Sequence, residues 1–175
     1  KELHSGSNLI SLYVIPDDLS LGAVFSDLGS NISGIIGEGV AATRLESGEW
    51  IGSLVEIDIS SGYWLIMSTT DVLDITGALV DPNELYELHS GSNLVSIPFI
   101  GQHDISNAIP DSIEYLFNNI IGEGVASQQL SSGEWVGSID EIIGGNGYWI
   151  NISESVTFSF IPPEFSRLIN SDIIE

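Results

Sequence analysis

The chain has no cysteine. Disulfides, thiolate nucleophiles and cysteine-ligated zinc are therefore excluded. It has only three basic residues, Lys1, Arg44 and Arg167, against 25 acidic ones, for a formal net charge of −22. Such a surface repels phosphate backbones and anionic lipid heads, so neither nucleic acid nor a membrane surface is an expected partner. No apolar run approaches the ~18 residues of a membrane span, and membrane insertion is not expected. No basic segment precedes an apolar run as in a signal peptide. The chain opens and closes inside repeat-like sequence, so the expectation is a piece of a longer protein with flanking domains. Charged residues make up only 16% of the chain, which leaves Ser, Asn, Gly and Thr to carry much of the solvent contact. That style is common in secreted and virion-surface proteins, and an extracellular, cell-surface or virion-surface location is the expectation. At 43% hydrophobic residues the chain can still bury a core, and wholesale disorder is not expected.

What is present is a duplication. "ELHSGSNL" stands at 2–9 and again at 87–94. At this offset of 85, residues 2–13 match 87–98 at nine of twelve positions, and 35–68 match 120–153 at 20 of 34 without a gap. "IIGEGVA", "SGEW" and "GYW" recur at the same offset. Repeat 1 spans 2–80 and repeat 2 spans 87–161, with a tail at 162–175. Their middles differ. In "PDDLSLGAVFSDLG" (16–29), Leu21, Val24, Phe25 and Leu28 share one helical face, with Asp17, Asp18 or Ser20 as cap and Gly29 as left-handed stop. In 103–119, Pro110 splits the segment, predicting a turn at 105–109 and a helical piece near 111–118 that carries Ile113, Leu116 and Phe117.

The remainder reads as short strands bounded by Ser-Gly and Gly-Asn-Gly turns. Pro98 predicts an edge or bulge. Each copy is then a strand, a helical segment and about four strands. Two arrangements fit: separate beads, or two interlocked repeats of ~85 residues with pseudo-two-fold symmetry. The join at 77–87 lacks flexible-linker composition and carries Leu79, Val80 and Leu85, which favours interlocking. The expected class is mainly β (β-rich α+β), with antiparallel, barrel-like sheets and one or two short helices per repeat.

Three motifs invite chemistry. His4 and His89 each stand beside Ser-Gly-Ser, as a base stands beside its nucleophile. The stretch occurs twice at a strand entrance, and a turn bonded to local backbone, with the His covering the neighbouring strand, is the plainer reading. "IIGEGVAA" imitates a dinucleotide fingerprint, but no helix is readable after it. A Gly-flanked turn is expected there, with Glu38 and Glu123 pointing outward or capping backbone N–H groups. Carboxylates are many, yet no spacing selects a glycosidase pair or a calcium loop, so no cofactor is expected beyond a loose structural calcium. The tryptophans are the candidate ligand-binding residues: Trp64, Trp149, Trp50 and Trp135 repeat at the same offset. Tyr63/Tyr148, Leu65/Ile150 and Met67/Ile152 form one strand face, expected in the core. Trp64/Trp149 share the other with Ile66/Asn151, where an indole can serve as a platform for pyranose rings. The plainer alternative packs them under a helix or between sheets.

These motifs, "SGSNLISLYVIPDD…IIGEGVAA…GEWIGSLVEI…SGYWLIMS" and "SGSNLVSIPF…IIGEGVAS…GEWVGSIDEI…GNGYWINIS", resemble a repeat of secreted and cell-surface proteins of bacteria, archaea and marine phage. The resemblance implies an extracellular module of a larger chain with no catalytic residues. It departs before "GYW", where a common basic residue is Ser61 and Asn146 here. The expected function is a non-catalytic surface module for adhesion or spacing, with glycans or a surface protein as partner. The alternatives are a carbohydrate-binding module and a glycosidase-like hydrolase.

Overall fold

The computed structural model describes residues 1–164. Arg167 and all but the first three residues of the expected tail, 162–175, lie outside them. The first half runs β1 (Glu2–Leu3), β2 (Gly6–Ile10), β3 (Val14–Ile15), α1 (Leu21–Val24), a 3-10 segment (Ser26–Asn31), β4 (Ile32–Ile36), β5 (Ala41–Arg44), β6 (Trp50–Gly52), β7 (Tyr63–Met67), β8 (Asp71–Val72) and β9 (Ala78–Leu79). The second runs β10 (Tyr86–Leu88), β11 (Gly91–Val95), β12 (Gln102–Asp104), α2 (Ile105–Ala108), α3 (Asp111–Glu114), β13 (Phe117–Gly122), β14 (Val125–Gln129), β15 (Trp135–Gly137), β16 (Glu141–Ile143), β17 (Tyr148–Ile152) and β18 (Val156–Phe158).

Each half builds one five-stranded antiparallel sheet of the same order, β2-β7-β4-β5-β6 and β11-β17-β13-β14-β15. The register repeats at the offset of 85: Leu9 faces Trp64 as Leu94 faces Trp149, and Glu2 faces Val72 as Glu87 faces Thr157. Both β4 and β13 carry a bulge at the same place, after Ile32 and Phe117. The sheets do not close on themselves, so the barrel-like expectation is corrected. Edge strands β6 and β15 have three residues each and pair on one side only, which leaves both sheets open.

The inner face of each central strand is buried and the outer face half-buried. Tyr63, Leu65 and Met67 enter one core, and Tyr148, Ile150 and Ile152 enter the other, as the alternation predicts. In the first half the helical segment closes the core. Leu21, Val24, Phe25 and Leu28 are all buried, and the Ser20 side chain caps the Ala23 N–H. Gly29 has φ 51 and ψ −130, so it kinks the 3-10 segment from within instead of ending it in the left-handed helical region.

In the second half Pro110 breaks the segment as expected, but the expected turn at 105–109 is a single helical turn, α2, and the second helical piece stops at Glu114, with Phe117 already in β13. The ring is needed by the core there, edge-on to Phe158 at 5.6 Å. Pro98 lies beyond the end of β11, so it interrupts no strand. Of the apolar residues at the join, Val80 is buried and Leu85 exposed.

Candidate functional site

The repeated string builds a turn first. Gly6 has φ 104 and Gly91 φ 106, a conformation that suits glycine. The buried Asn8 side chain accepts from the His4 N–H at 2.8 Å and donates to the carbonyls of His4 and Gly6. Asn93 repeats this with His89 and Gly91. The local turn reading therefore holds, but it is the asparagines that close it. Ser5 Oγ donates to the Ser68 carbonyl and Ser90 Oγ to that of Ser153; neither meets an imidazole.

The histidines look elsewhere. His4 Nε2 lies 2.5 Å from Glu123 Oε1, and His89 Nε2 lies 2.7 Å from Glu38 Oε1. Each ring reaches across to the other half instead of covering its own neighbouring strand. The second oxygen of each carboxylate accepts a backbone N–H, Leu9 to Glu123 and Leu94 to Glu38, both at 2.8 Å. Glu38 and Glu123 sit in the β4–β5 and β13–β14 hairpin turns, so no helix follows either "IIGEGVA" and the dinucleotide reading falls. The capping role expected of the two glutamates is present, and its targets lie in the opposite repeat. The result is a reciprocal clasp: turn of one half onto strand of the other, twice.

Both ring nitrogens of each histidine face acceptors, Nδ1 the carbonyl of Ser5 or Ser90 and Nε2 a carboxylate. With the carboxylate ionised, both contacts are satisfied only when the ring carries two hydrogens, as imidazolium. Accordingly the His4 pKa is raised by the Ser5 carbonyl first and Glu123 second, and that of His89 by Ser90 and Glu38. Both histidines are exposed and their surroundings are equivalent.

Between the two clasps the backbones meet. Ser11 N donates to Gly145 O, Gly62 N to Leu94 O and Ser96 N to Ser60 O. Ser11 Oγ donates to Asn146 O at 2.7 Å and Ser96 Oγ to Ile59 O at 2.6 Å. Gly62 and Gly147 allow this approach: a Cβ on Gly147 would stand 2.6 Å from the Ile10 carbonyl oxygen. Thus Ser61 and Asn146, where the resembled repeat is commonly basic, border the seam between the halves.

The four tryptophans separate into two kinds. Trp50 and Trp135 lie on edge strands and turn inward. Trp50 packs on the core beside Phe25 at 6.4 Å, and Trp135 Nε1 donates to Glu114 Oε1 of α3 at 2.8 Å. Trp64 and Trp149 are half-buried on the outer faces of the central strands, each between a buried leucine and an exposed isoleucine: Leu9 and Ile36, Leu94 and Ile121. The four do not share a surface. Among the described residues, no three His, Asp or Glu side chains converge as a cation site. No helix among them is long and apolar enough to cross a membrane. No family model, no curated protein and no solved structure matches the chain.

Proposed function

We propose that the chain is a non-catalytic extracellular or virion-surface module of a larger protein, acting in adhesion or as a structural spacer, and akin to the repeats of bacterial, archaeal and phage surface proteins. One observation carries this reading: the side chains best equipped for chemistry, His4, His89, Glu38 and Glu123, are spent on holding the two halves together. A catalytic imidazole must exchange a proton with substrate. These rings have both nitrogens engaged. The acidic, mostly uncharged-polar surface suits a solvent-exposed stalk or tip.

The test is a panel of chromogenic esters and glycosides, together with calorimetry. The expected result is no turnover and one cooperative unfolding transition for both halves. Turnover that disappears in His4→Ala or His89→Ala would sink the proposal. A second reading is a carbohydrate-binding module, favoured by the half-buried indoles of Trp64 and Trp149 on outward sheet faces.

A further inference from the structure

The outer faces of the two sheets carry the same tryptophan row. Leu, Trp, Ile and Ala stand side by side across the strands in both, as Leu9 to Ala41 and Leu94 to Ala126. The row beside it differs. In the first sheet it holds Ile66, Gly34 and Thr43; in the second the same three places hold Asn151, Asn119 and Gln128. Each difference puts a primary amide in place of an apolar, absent or hydroxyl side chain. The bulge after Phe117 brings in a further amide, Asn118.

These amides are partly fixed. Asn118 Nδ2 donates to Asn151 Oδ1 at 2.8 Å, and Asn151 Nδ2 donates to Ser92 Oγ at 3.1 Å. Each amide can take part in up to four hydrogen bonds, so donors and acceptors remain on this face for a ligand. The amide row lies two residues along the strand from Trp149, about 7 Å, and its members are about 4.8 Å apart across the strands. A flat ring resting on the indole therefore has its rim over the amides. Neither row contains an ionisable side chain. A partner must then offer an apolar face and many hydroxyls, each both donor and acceptor. The chain's net charge of −22 disfavours sulfated or carboxylated ligands.

We propose that the outer face of the second sheet, with Trp149 as base and Asn119, Asn151 and Gln128 as polar contacts, is a binding platform for neutral hexopyranose glycans, and that the matching face of the first sheet is not. This rests on the carbohydrate-binding reading and adds which copy carries it and through which residues. Trp149 supplies stacking and the amides supply orientation. Trp64 has the same indole, but Ile66, Gly34 and Thr43 beside it leave ring hydroxyls without amide partners. Desolvating hydroxyls with nothing to replace water is unfavourable.

The experiment is NMR titration of the 15N-labelled 175-residue chain with three neutral hexasaccharides: β-1,4-glucose, α-1,4-glucose and β-1,4-mannose. The four indole N–H signals are assigned by Trp→Phe variants. The expected result is a saturable shift of the Trp149 signal with at least one sugar, while Trp64 stays still. Asn151→Ile and Gln128→Thr, which install the residues of the first sheet, weaken binding at least tenfold while the remaining spectrum is kept. Both positions lie outside the cores, and either variant alone suffices. If Trp64 and Trp149 shift together and neither variant weakens binding, the assignment to the second copy is wrong and the broader carbohydrate reading stands. If no indole shifts with any of the sugars at millimolar concentration, or only Trp50 or Trp135 does, the platform is refuted.

Discussion

Replacing Glu123 by Ala removes one side of the clasp. Two contacts go: the imidazole of His4 loses its carboxylate, and the Leu9 N–H loses its acceptor. The second loss dominates. Leu9 is 2% exposed, so its N–H cannot simply turn to water. A buried donor left unpaired costs about 1–3 kcal/mol. The exposed imidazole contact adds less, because solvent competes there. Taking about 2 kcal/mol, and about 2–4 °C per kcal/mol for a chain of this size, the melting temperature falls by about 4–8 °C. Glu38→Ala should cost the same, because Leu94 is 3% exposed and meets Glu38 at the same 2.8 Å. The double variant should fall by roughly the sum, since the two sites share no residue. His4→Ala should cost less than Glu123→Ala, because Glu123 Oε2 still accepts from Leu9. Thermal unfolding followed by circular dichroism reads all four. A fall below about 1 °C for either glutamate, or a larger effect of His4→Ala than of Glu123→Ala, would refute the reasoning.

Stability should also depend on pH through the same rings. Both histidines have raised pKa values, so their contribution is complete below the ordinary value of 6.5 and is lost as pH rises through the raised one. Lys1 and Glu123 are the charged groups facing His4 and its partner across the seam, Glu2 and Asp71 line the groove beside it, and Glu38 and Glu87 flank His89. Urea midpoints should therefore decline from pH 6.5 upward in the native chain, and that decline should be absent when both histidines are Gln. Gly147→Ala should destabilise by about 1–3 kcal/mol, because its Cβ would press on the Ile10 carbonyl and part the halves; chemical denaturation measures it. Gly22→Ala should instead stabilise by about 0.5–1 kcal/mol, since Gly22 is inside α1 with nothing within 4 Å of its Cβ position; an unchanged or lower midpoint would contradict this.

Strand alternation was readable in the sequence where burial alternates strictly, as in Tyr63–Met67 and Tyr148–Ile152. Pro110 marked a helix break because the ring cannot accept a helical neighbour's geometry, a purely local rule. Phe117 was less legible. A residue i+4 from Ile113 looks helical, and only its packing on Phe158, far along the chain, places it in a strand. The clasp was half-legible. Duplication flagged His4, His89, Glu38 and Glu123 as recurring positions, and the glycines and serines beside them suggested turns. Nothing local says that a carboxylate in one copy reaches the strand of the other, because that pairing is set by how two finished sheets meet. Trp50 and Trp64 illustrate the same limit. Both recur at offset 85, yet one turns inward from an edge strand and the other lies on an outer face. Facing is set by register, which a short strand of three residues does not encode by itself.

The reciprocity of the clasp has a consequence for how such a protein can lengthen. Each repeat carries one turn whose carboxylate accepts and one strand whose N–H donates, and the pair consumes both sets. Adding a third copy leaves it holding a free carboxylate, a free imidazole and a strand edge with no neighbour, which is the kind of edge that recruits another chain. Adding two copies leaves nothing over. By this geometry, growth by pairs of copies fills every clasp, whereas an odd copy is left with half of one.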